Sequence, residues 1–503
     1  MSERWHRWAL IGLSGLAYAQ RVIGLDFQSL WRDEVDAIRF ASRPLGDLLR
    51  AFLSPGQNGP LYHLLLHPWL SLAGRSEFAL RFFSAAFGVL AVPLAYRLAR
   101  RLFPRLPSIA LVTVLLVATS PYLVWYGQEG KMYALVVALV LLSMERYLAA
   151  VEQGGWPRWL AYVLVTSLAY YVHLIAALIV PAQVILFPFI LRRPDRKARW
   201  IPWLASLAAL AVPYLPLLAW QLPLLREPAS TGYLFVPLHG MLFSLWVSYS
   251  LGVVQGTALW PLSLFLGLLL AAMLLWKRRG SGLAPLGVLL AWLLVPPLGF
   301  FLITLIRPLY TARYLIFVLP AYLLLLAAGL IAVARRSRLL AGLVLLALLA
   351  VNGRGVWLQA RTPLKTDFRA ASDYLARRLA AGDLILFHIP YGRYSFDYYL
   401  QQRSALHPGQ GEYRLFLPYV AGGGGGAPYR WAEGLYTNAG MDPGQAARRM
   451  AGITAGSRVV WLVATEVSLW DERHLVPAWL DDHATLTDEA RFVRVTVYRY
   501  EMP

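Results

Sequence analysis

Charged and hydroxyl side chains cluster at the ends of apolar segments, and they are the residues of this sequence best suited to chemistry. Ionisable groups near a membrane are costly and are often functional, whereas a single one is explained by a solvated loop or by snorkelling. Three distant parts of the chain supply such groups, which makes the joint pattern more informative than any one residue. They are Asp33 and Glu34, then Glu129 and Lys131, and finally Arg307, Tyr310 and Arg313.

This combination of one or two carboxylates with several cations suits transfer of a group from a donor whose leaving group is a phosphate. Lys and Arg stabilise a departing phosphate oxyanion, and a carboxylate can take the proton of an acceptor hydroxyl. At the outer face of a membrane, where nucleotide sugars are not supplied, the donor must arrive through the bilayer. A polyprenyl-phosphate sugar meets that requirement, so the residues predict a polyprenyl-phosphate-dependent transferase.

The composition places these residues in an integral membrane protein. Of the 503 residues, 58% are hydrophobic and 15% are charged, and the mean hydropathy is +0.52. Soluble domains are roughly 45–50% apolar and about 25% charged. The chain contains no Cys, which excludes disulfides and thiolate metal sites.

Apolar segments long enough to approach a membrane span recur through the first 351 residues, and we predict about eleven of them. The predicted spans are residues 8–24, 78–98, 108–122, 132–148, 159–174, 175–191, 201–220, 258–276, 284–306, 314–334 and 339–351.

The positions of basic residues predict the orientation of these spans. The chain has 47 Lys and Arg against 27 Asp and Glu, a formal charge of +20. With eleven spans, the basic clusters fall in loops on one side, which the positive-inside rule makes cytoplasmic. We therefore expect a cytoplasmic N-terminus, an extracytoplasmic C-terminal domain and no nucleic-acid partner. The clusters are Arg4 and Arg7; Arg97, Arg100, Arg101 and Arg105; Arg146 and Arg158; residues 192–199; residues 277–279; and Arg335, Arg336 and Arg338.

Two segments outside the spans have their own organisation. Residues 25–77 form a long first outer loop, in which Pro44 separates two short amphipathic helices expected to lie on the membrane surface. The pattern of residues 362–503 predicts a small α/β domain, with strands at LILFHI, RVVWLVA and RFVRVTVYRY. The predicted helices are DFRAASDYLARRLAAGD, ending at Gly382, and DPGQAARRMAGI, which opens with Asp-Pro. The glycine run 422–426 is interpreted as a loop because the other features of a phosphate-binding motif are missing.

Several motifs together resemble the GT-C glycosyltransferase superfamily. They are WRDEVDAI, NGPLYHLLLHPW, GRSEFALRFFSAAFGVLAV, SPYLVWYGQEGKMYAL and RPLYTARYLIFVLPAY. More narrowly, the chain is similar to the bacterial protein O-mannosyltransferase-like and aminoarabinose-transferase-like branch. The resemblance implies a polytopic α-helical GT-C catalytic domain over residues 1–361, followed by an extracytoplasmic α/β domain. It also implies a bacterial inner-membrane location.

The resemblance implies an inverting transfer from a polyprenyl-phosphate sugar to a hydroxyl of a protein, lipid or glycan. Asp33 matches the catalytic aspartate of the superfamily and Glu34 its neighbour, and both are assigned as catalytic residues. Lys131 and Arg313, with Arg307 and Tyr310, are expected at the donor phosphate. The residues assigned to substrate binding are Tyr62, Glu129 and Tyr314.

The sequence also departs from the superfamily pattern. Gly59-Pro60 replaces a pair of prolines, and no Lys lies near Asn58, so the phosphate contacts are expected to differ. No metal site is predicted, because His63, His67 and His173 lack the spacing of a zinc site. Some relatives use metal ions, and the resemblance leaves a divalent metal open.

Two other classes of function compete with the enzyme. A transporter or lipid flippase would place ionisable groups near the bilayer midplane and show repeated halves, but most of the predicted spans lack internal charges and the chain shows no convincing repeat. A membrane-anchored binding protein would leave the three-part cluster unexplained. We therefore expect a transferase, with membrane lipids and the lipid-linked donor as partners.

Overall fold

The computed structural model describes residues 3–53, 59–190, 199–226, 233–254, 258–276, 285–380, 382–406, 430–438 and 440–503. Asn58, the glycine run 422–426 and the basic residues at 192–198 and 277–279 lie outside the described residues. The chain divides into two units. The first contains Met1–Leu25 and Ala41–Thr362, and the second contains Asp26–Phe40 and Pro363–Pro503. The segment 25–77 is thus divided between the two units.

Helices account for most of the chain up to residue 361. Two 3-10 helices, Leu174–Leu178 and Ala312–Val318, lead directly into longer helices. The α-helices are α1 (Glu3–Val22), α2 (Arg32–Ala41), α3 (Leu45–Ala51), α4 (Pro60–Ala73), α5 (Glu77–Leu102), α6 (Pro107–Thr119), α7 (Pro121–Gly127), α8 (Tyr133–Gln153), α9 (Trp156–Val172), α10 (Ile179–Ile190), α11 (Trp200–Arg226), α12 (Leu238–Leu251), α13 (Pro261–Trp276), α14 (Pro285–Ile306), α15 (Leu319–Ala334) and α16 (Arg338–Arg361).

Serine and proline residues define several of these helix ends. The Ser76 hydroxyl accepts a hydrogen bond from the Ala79 amide and so caps α5. Ser120 accepts from the Leu123 amide at the start of α7, and α6 and α7 meet there at a bend of 55°. The predicted break at Pro44 is confirmed, because Pro44 is the N-cap residue of α3.

The first unit has the helices of a multi-pass membrane protein. Among the described residues, six helices are long and apolar enough to cross a membrane, or seven if the bent pair α6 and α7 is one span. The predicted count of about eleven stays a prediction. The α8 span and the span Ala312–Ala334 are 83% and 89% buried, so they form the centre of this unit. The α16 span and Trp200–Ala219 are each 22% buried, so they present apolar side chains outward.

The second unit is built around a five-stranded mixed sheet, and the predicted α/β character is confirmed. Its elements are α17 (Phe368–Ala376), β1 (Leu384–His388), α18 (Gly392–Leu406), β2 (Arg430–Glu433), α19 (Pro443–Thr454), β3 (Val459–Ala464), α20 (Leu475–His483), β4 (Thr485–Phe492) and β5 (Val495–Glu501). The strand order is β2-β1-β3-β5-β4, with β1 parallel to both neighbours and β5 antiparallel to both of its own. Asp442 begins α19 with a capping box, as its Asp-Pro sequence predicts.

Two predictions for this unit are corrected by the structure. RFVRVTVYRY was expected to be one strand, but its first residues end β4 and its last residues form β5. Arg494 has φ +57°, a left-handed conformation that turns the chain between the two strands. In the same way α17 ends at Ala376, earlier than the expected end near Gly382.

A buried polar cluster joins β1 to the segment that precedes α20. The His388 Nε2 and Asp471 Oδ2 atoms are 3.2 Å apart, and both side chains are almost fully buried. Asp471 also accepts hydrogen bonds from the Thr437 hydroxyl and from the Leu475 and Val476 amides. Burial alone raises the pKa of Asp471, but these hydrogen bonds and His388 hold that pKa below its usual value. Burial lowers the pKa of His388, and Asp471 opposes this shift only in part.

Candidate active site

The carboxylates Asp33 and Glu34 lie in the first turn of α2, within the second unit. The positive end of a helix dipole favours negative charge at this position. Four hydrogen bonds hold the segment that leads into α2. The Gln28 side-chain oxygen accepts from the Leu364 and Lys365 amides, each at 2.9 Å. The Ser29 hydroxyl donates to the Thr366 carbonyl oxygen at 2.8 Å, and the Tyr399 hydroxyl accepts from the Leu30 amide at 2.6 Å.

Glu34 is buried and forms an ion pair with Lys365. The Lys365 Nζ and Glu34 Oε1 atoms are 2.9 Å apart, and the two side chains are 9% and 0% exposed. The Trp31 amide donates to the other carboxylate oxygen at 3.5 Å. Breaking such a buried pair is strongly destabilising because it leaves a buried charge uncompensated. The pair therefore fixes α2 to the segment that precedes α17.

Asp33 differs from its neighbour because its carboxylate reaches the surface of the second unit, with 18% of the side chain exposed. The Arg32 guanidinium donates to Asp33 Oδ1 from two nitrogens, each at 3.3 Å. Arg32 in turn stacks on Tyr391, with its central carbon 4.3 Å from the ring centroid. The Tyr391 hydroxyl donates to Glu466 at 2.9 Å. This chain of contacts orients a carboxylate that solvent can reach.

Lys131 lies in the first unit, on the short turn between α7 and α8. Its amide donates to the Glu129 carbonyl oxygen at 2.7 Å, which closes the turn. The Ser84 hydroxyl of α5 donates to the Lys131 carbonyl oxygen at 3.0 Å, and the Tyr62 hydroxyl of α4 lies 3.4 Å from Ser84. The Lys131 side chain is half-buried, whereas Glu129 and Tyr62 are buried. The structure thus joins Tyr62, Glu129 and Lys131 around one turn.

Arg313 lies in the 3-10 helix Ala312–Val318 and contacts the beginning of α8. Its guanidinium carbon is 5.9 Å from the ring centroids of both Tyr133 and Tyr314, a separation at which a cation is attracted to an aromatic ring. The His173 ring lies 5.3 Å from Tyr314 and 6.2 Å from Tyr133. Because Tyr133 is two residues after Lys131, the aromatic contacts bring the Arg313 segment to the Lys131 turn.

Arg307 and Tyr310 occupy the connection between α14 and this 3-10 helix. The Arg307 amide donates to the Ile303 carbonyl oxygen, which extends the end of α14, and its side chain is half-buried. The Tyr310 hydroxyl donates to the Met241 carbonyl oxygen at 3.0 Å and lies 3.2 Å from the Ser244 hydroxyl. The Tyr310 hydroxyl therefore contacts α12, and its expected place at the donor phosphate stays a prediction.

The histidines considered as metal ligands have other contacts. His63 Nδ1 is 3.0 Å from the Gly59 carbonyl oxygen, and His67 Nδ1 is 2.7 Å from that of Ala41. Within the described ranges, no group of three or more His, Cys, Asp or Glu side chains is placed to hold a metal ion.

Arg21 was missed as a structural residue by the sequence analysis. It is fully buried in α1 and donates to the Val117 and Ala118 carbonyl oxygens, each at 3.1 Å, near the end of α6. A Cβ atom at Gly88 would lie 2.9 Å from its Nε, and one at Gly127 would lie 3.1 Å from it. A side chain at Gly88 would therefore displace Arg21, and one at Gly127 would crowd it. A single arginine within an apolar segment was the signal that could have identified it.

Comparison with known proteins identifies the fold. The family model for dolichyl-phosphate-mannose-protein mannosyltransferases matches residues 57–220. The apo crystal structure of ArnT from Cupriavidus metallidurans is 14% identical, with a TM-score of 0.60, and the match covers 99% of this chain and 98% of ArnT. The chain has the GT-C fold of membrane glycosyltransferases. No curated protein sequence matches the chain.

Two further GT-C structures support this assignment. Archaeal oligosaccharyltransferase AglB from Archaeoglobus fulgidus, in complex with an inhibitory peptide and a dolichol-phosphate, is 14% identical with a TM-score of 0.56. That match covers 98% of this chain and 74% of AglB. Arabinofuranosyltransferase AftD from Mycobacteria is 15% identical with a TM-score of 0.56, over 100% of this chain and 42% of AftD. The resemblance to the GT-C superfamily stated from the sequence motifs is confirmed.

Proposed function

We propose that this protein is a glycosyltransferase that moves a sugar from a polyprenyl-phosphate donor to an acceptor hydroxyl at the outer face of the membrane. The observation that carries the proposal is the clustering of Lys131 and Arg313 around the start of α8, in a chain whose whole length follows the GT-C fold. One ArnT structure in that fold is bound to undecaprenyl phosphate. Undecaprenyl phosphate is the lipid that a polyprenyl-phosphate donor releases once its sugar has been transferred, and its phosphate is the group that the two cations suit.

In the proposed reaction, the donor phosphate is held by Lys131 and Arg313. The acceptor oxygen attacks the anomeric carbon of the sugar while the bond from that carbon to the phosphate oxygen breaks, which inverts the configuration. The bonding electrons leave with the phosphate, whose added charge the two cations stabilise. Asp33 accepts the proton of the acceptor hydroxyl as the new bond forms. The products are the glycosylated acceptor and the polyprenyl phosphate.

The remaining residues support this chemistry by position. Tyr133, Tyr314 and His173 form an aromatic wall beside Arg313, suited to the apolar faces of a sugar or to the first prenyl units. Glu34 and Lys365 hold the helix that carries Asp33, so Glu34 acts as a positioning residue. Location in a bacterial inner membrane, with the second unit outside, is part of the proposal.

The decisive experiment tests transfer by the purified full chain in lipid nanodiscs. A panel of polyprenyl-phosphate sugars is supplied with peptide, lipid and glycan acceptors, and mass spectrometry measures sugar release and transfer. We expect transfer with at least one donor, and a loss of about 10²- to 10⁴-fold in Asp33→Asn, the range for removal of a general base. Donor binding should persist in this variant.

Asp36→Asn provides the matched control for this substitution. Asp36 lies on the same helix, half-buried and paired with Arg39 at 3.0 Å, so the change removes a comparable charge. Turnover by Asp36→Asn should stay close to that of the unsubstituted chain. Equal turnover in Asp33→Asn and Asp36→Asn would remove Asp33 from the mechanism. Lipid movement across the bilayer without transfer from any donor would instead favour the transporter or flippase.

A further inference from the structure

A large cavity lies at the end of the first unit that is remote from Lys131. Its volume is about 880 Å³, within the range of sites that hold small ligands. It lies between the start of α1 and the ends of α5 and α8. Along α8, Glu152 is roughly 30 Å from Lys131 at 1.5 Å per residue, which is the thickness of a bilayer core. We call it the arginine cavity; its charged lining is Glu3, Arg7, Arg97, Arg100, Arg101, Glu145 and Glu152.

We infer that the arginine cavity binds the phosphate headgroup of an anionic membrane lipid. Arginine suits this role because its planar fork of N–H donors matches two phosphate oxygens. Basic pockets between membrane helices on the cytoplasmic side are suited to anionic headgroups. The inference does not rest on the proposed glycosyltransferase activity.

The two carboxylates on α8 are already neutralised within the protein. Glu145 is buried and lies 3.1 Å from Arg101, 3.5 Å from Arg97 and 2.8 Å from Arg146. Glu152 lies 2.8 Å from Arg101. Arg97, Arg101 and Arg146 thus neutralise Glu145 and Glu152. The cavity therefore does not need its remaining arginines to balance its own charge.

Arg7 and Arg100 are the surplus cations of the cavity. Arg100 is half-buried and Arg7 is exposed, and over the described ranges neither forms an ion pair. The third carboxylate, Glu3, is exposed and also forms no ion pair with a described residue. In addition, Arg101 Nε is buried without a hydrogen-bond acceptor among the described atoms. An anion in the cavity would supply acceptors for these donors.

The surroundings indicate a lipid and not a soluble phosphate. Leu10 and Pro104 contribute apolar surface to the cavity. Trp5 and Trp8 flank Arg7 on α1 and are 50% and 63% exposed. Exposed tryptophans are enriched where the headgroup layer meets the acyl chains. The two tryptophans thus favour a position of the cavity at the headgroup layer, where a phospholipid presents its phosphate, and Leu10 and Pro104 offer apolar surface to its chains.

The test uses the purified full chain in detergent and native mass spectrometry. Phosphatidylglycerol and phosphatidylcholine with identical acyl chains are titrated separately, so that only the headgroup charge differs. We expect one phosphatidylglycerol to bind with clear preference, and Arg7→Gln/Arg100→Gln to weaken it by about thirtyfold, since each basic residue near a membrane surface contributes roughly fivefold. Arg7→Gln alone, at an exposed position, should weaken binding about fivefold without a risk to folding.

The matched control is Arg335→Gln/Arg336→Gln. Both residues are exposed and basic, and neither is in the lining of the arginine cavity. If the lipid is attracted only by the general positive charge of the protein, both double variants should lose lipid equally, which would overturn the inference. An absence of preference for phosphatidylglycerol in the unsubstituted chain would do the same. Displacement of the lipid by equimolar inorganic phosphate would show that the cavity takes a soluble anion and would refute the lipid assignment.

Discussion

The ion pair between Glu34 and Lys365 gives a quantitative prediction, because both side chains are almost fully removed from solvent. Replacing Lys365 with Met keeps most of the side-chain volume but leaves the buried Glu34 carboxylate without its cation. Loss of one partner of a buried pair costs about 3–5 kcal/mol. In the Lys365→Met variant we therefore expect α2 to open locally far more often.

Hydrogen exchange of the α2 amides measures this opening in the full chain. Because each 1.4 kcal/mol is a tenfold change in an equilibrium constant, exchange should accelerate by about 10²- to 10⁴-fold. The double variant Glu34→Gln/Lys365→Met removes both charges, so it should recover most of the lost protection. Transfer activity should fall with the exchange protection, because α2 carries Asp33.

Arg50→Met is the matched control, since it breaks the exposed Arg50–Asp47 pair of α3 by the same type of substitution. An exposed pair contributes well under about 1 kcal/mol, so α2 should exchange as in the unsubstituted chain. Exchange in Lys365→Met that stays as slow as in Arg50→Met would refute the reasoning. It would mean that the hydrogen bonds of the preceding segment, and not the ion pair, hold α2.

Three further predictions address the donor site, the topology and the pH dependence. Arg313→Ala should lower the transfer rate by about 10²- to 10³-fold, as for loss of an oxyanion-site donor, while the thermal stability of the protein is unchanged. Normal transfer rates in both Arg313→Ala and Lys131→Ala would show that the donor phosphate binds at another site. A reporter that is active only outside the cytoplasm should work when fused after Tyr500, and activity of a cytoplasm-only reporter there would contradict the eleven-span topology. Burial lowers the pKa of His388 in the folded protein, so below about pH 6.5 the unfolded chain binds more protons than the folded chain. The protection of the β1 amides from exchange, corrected for intrinsic exchange rates, should therefore decrease as the pH falls below that value. His388→Gln should flatten this dependence, and an unchanged slope in that variant would assign it to other groups.

Local patterns in the sequence were sufficient to predict many individual elements. Long apolar runs identify membrane helices because burial in lipid requires apolar side chains over a known length. Asp442 before Pro443 predicts the start of α19, because capping depends on neighbours three residues apart. The order of the motifs was sufficient for the GT-C resemblance, since the order of motifs in a chain survives where overall identity is low. The apolar runs and the helix starts depend on residues close together in the chain, whereas the order of the motifs can be seen along the sequence without any contact between them.

The tertiary structure decided the features that depend on distant partners. Glu34 and Lys365 are more than three hundred residues apart, and nothing in WRDEVDAI indicates which cation neutralises the buried carboxylate. The turn at Arg494 was missed because RFVRVTVYRY was interpreted as one alternating strand, although the alternation breaks at the consecutive apolar residues Phe492 and Val493, directly before the turn.

At the candidate site, too, the sequence predicted some features and only the structure showed others. The sequence identified Lys131 and Arg313 as cations at the ends of spans, because charge near a membrane is costly and therefore conspicuous. Only the structure showed that Arg313 packs on Tyr133, beside the Lys131 turn, and that Arg21 is buried against α6. The sequence determines which side chains must avoid lipid or water. Their pairing is decided by packing between helices, whose geometry no single segment contains.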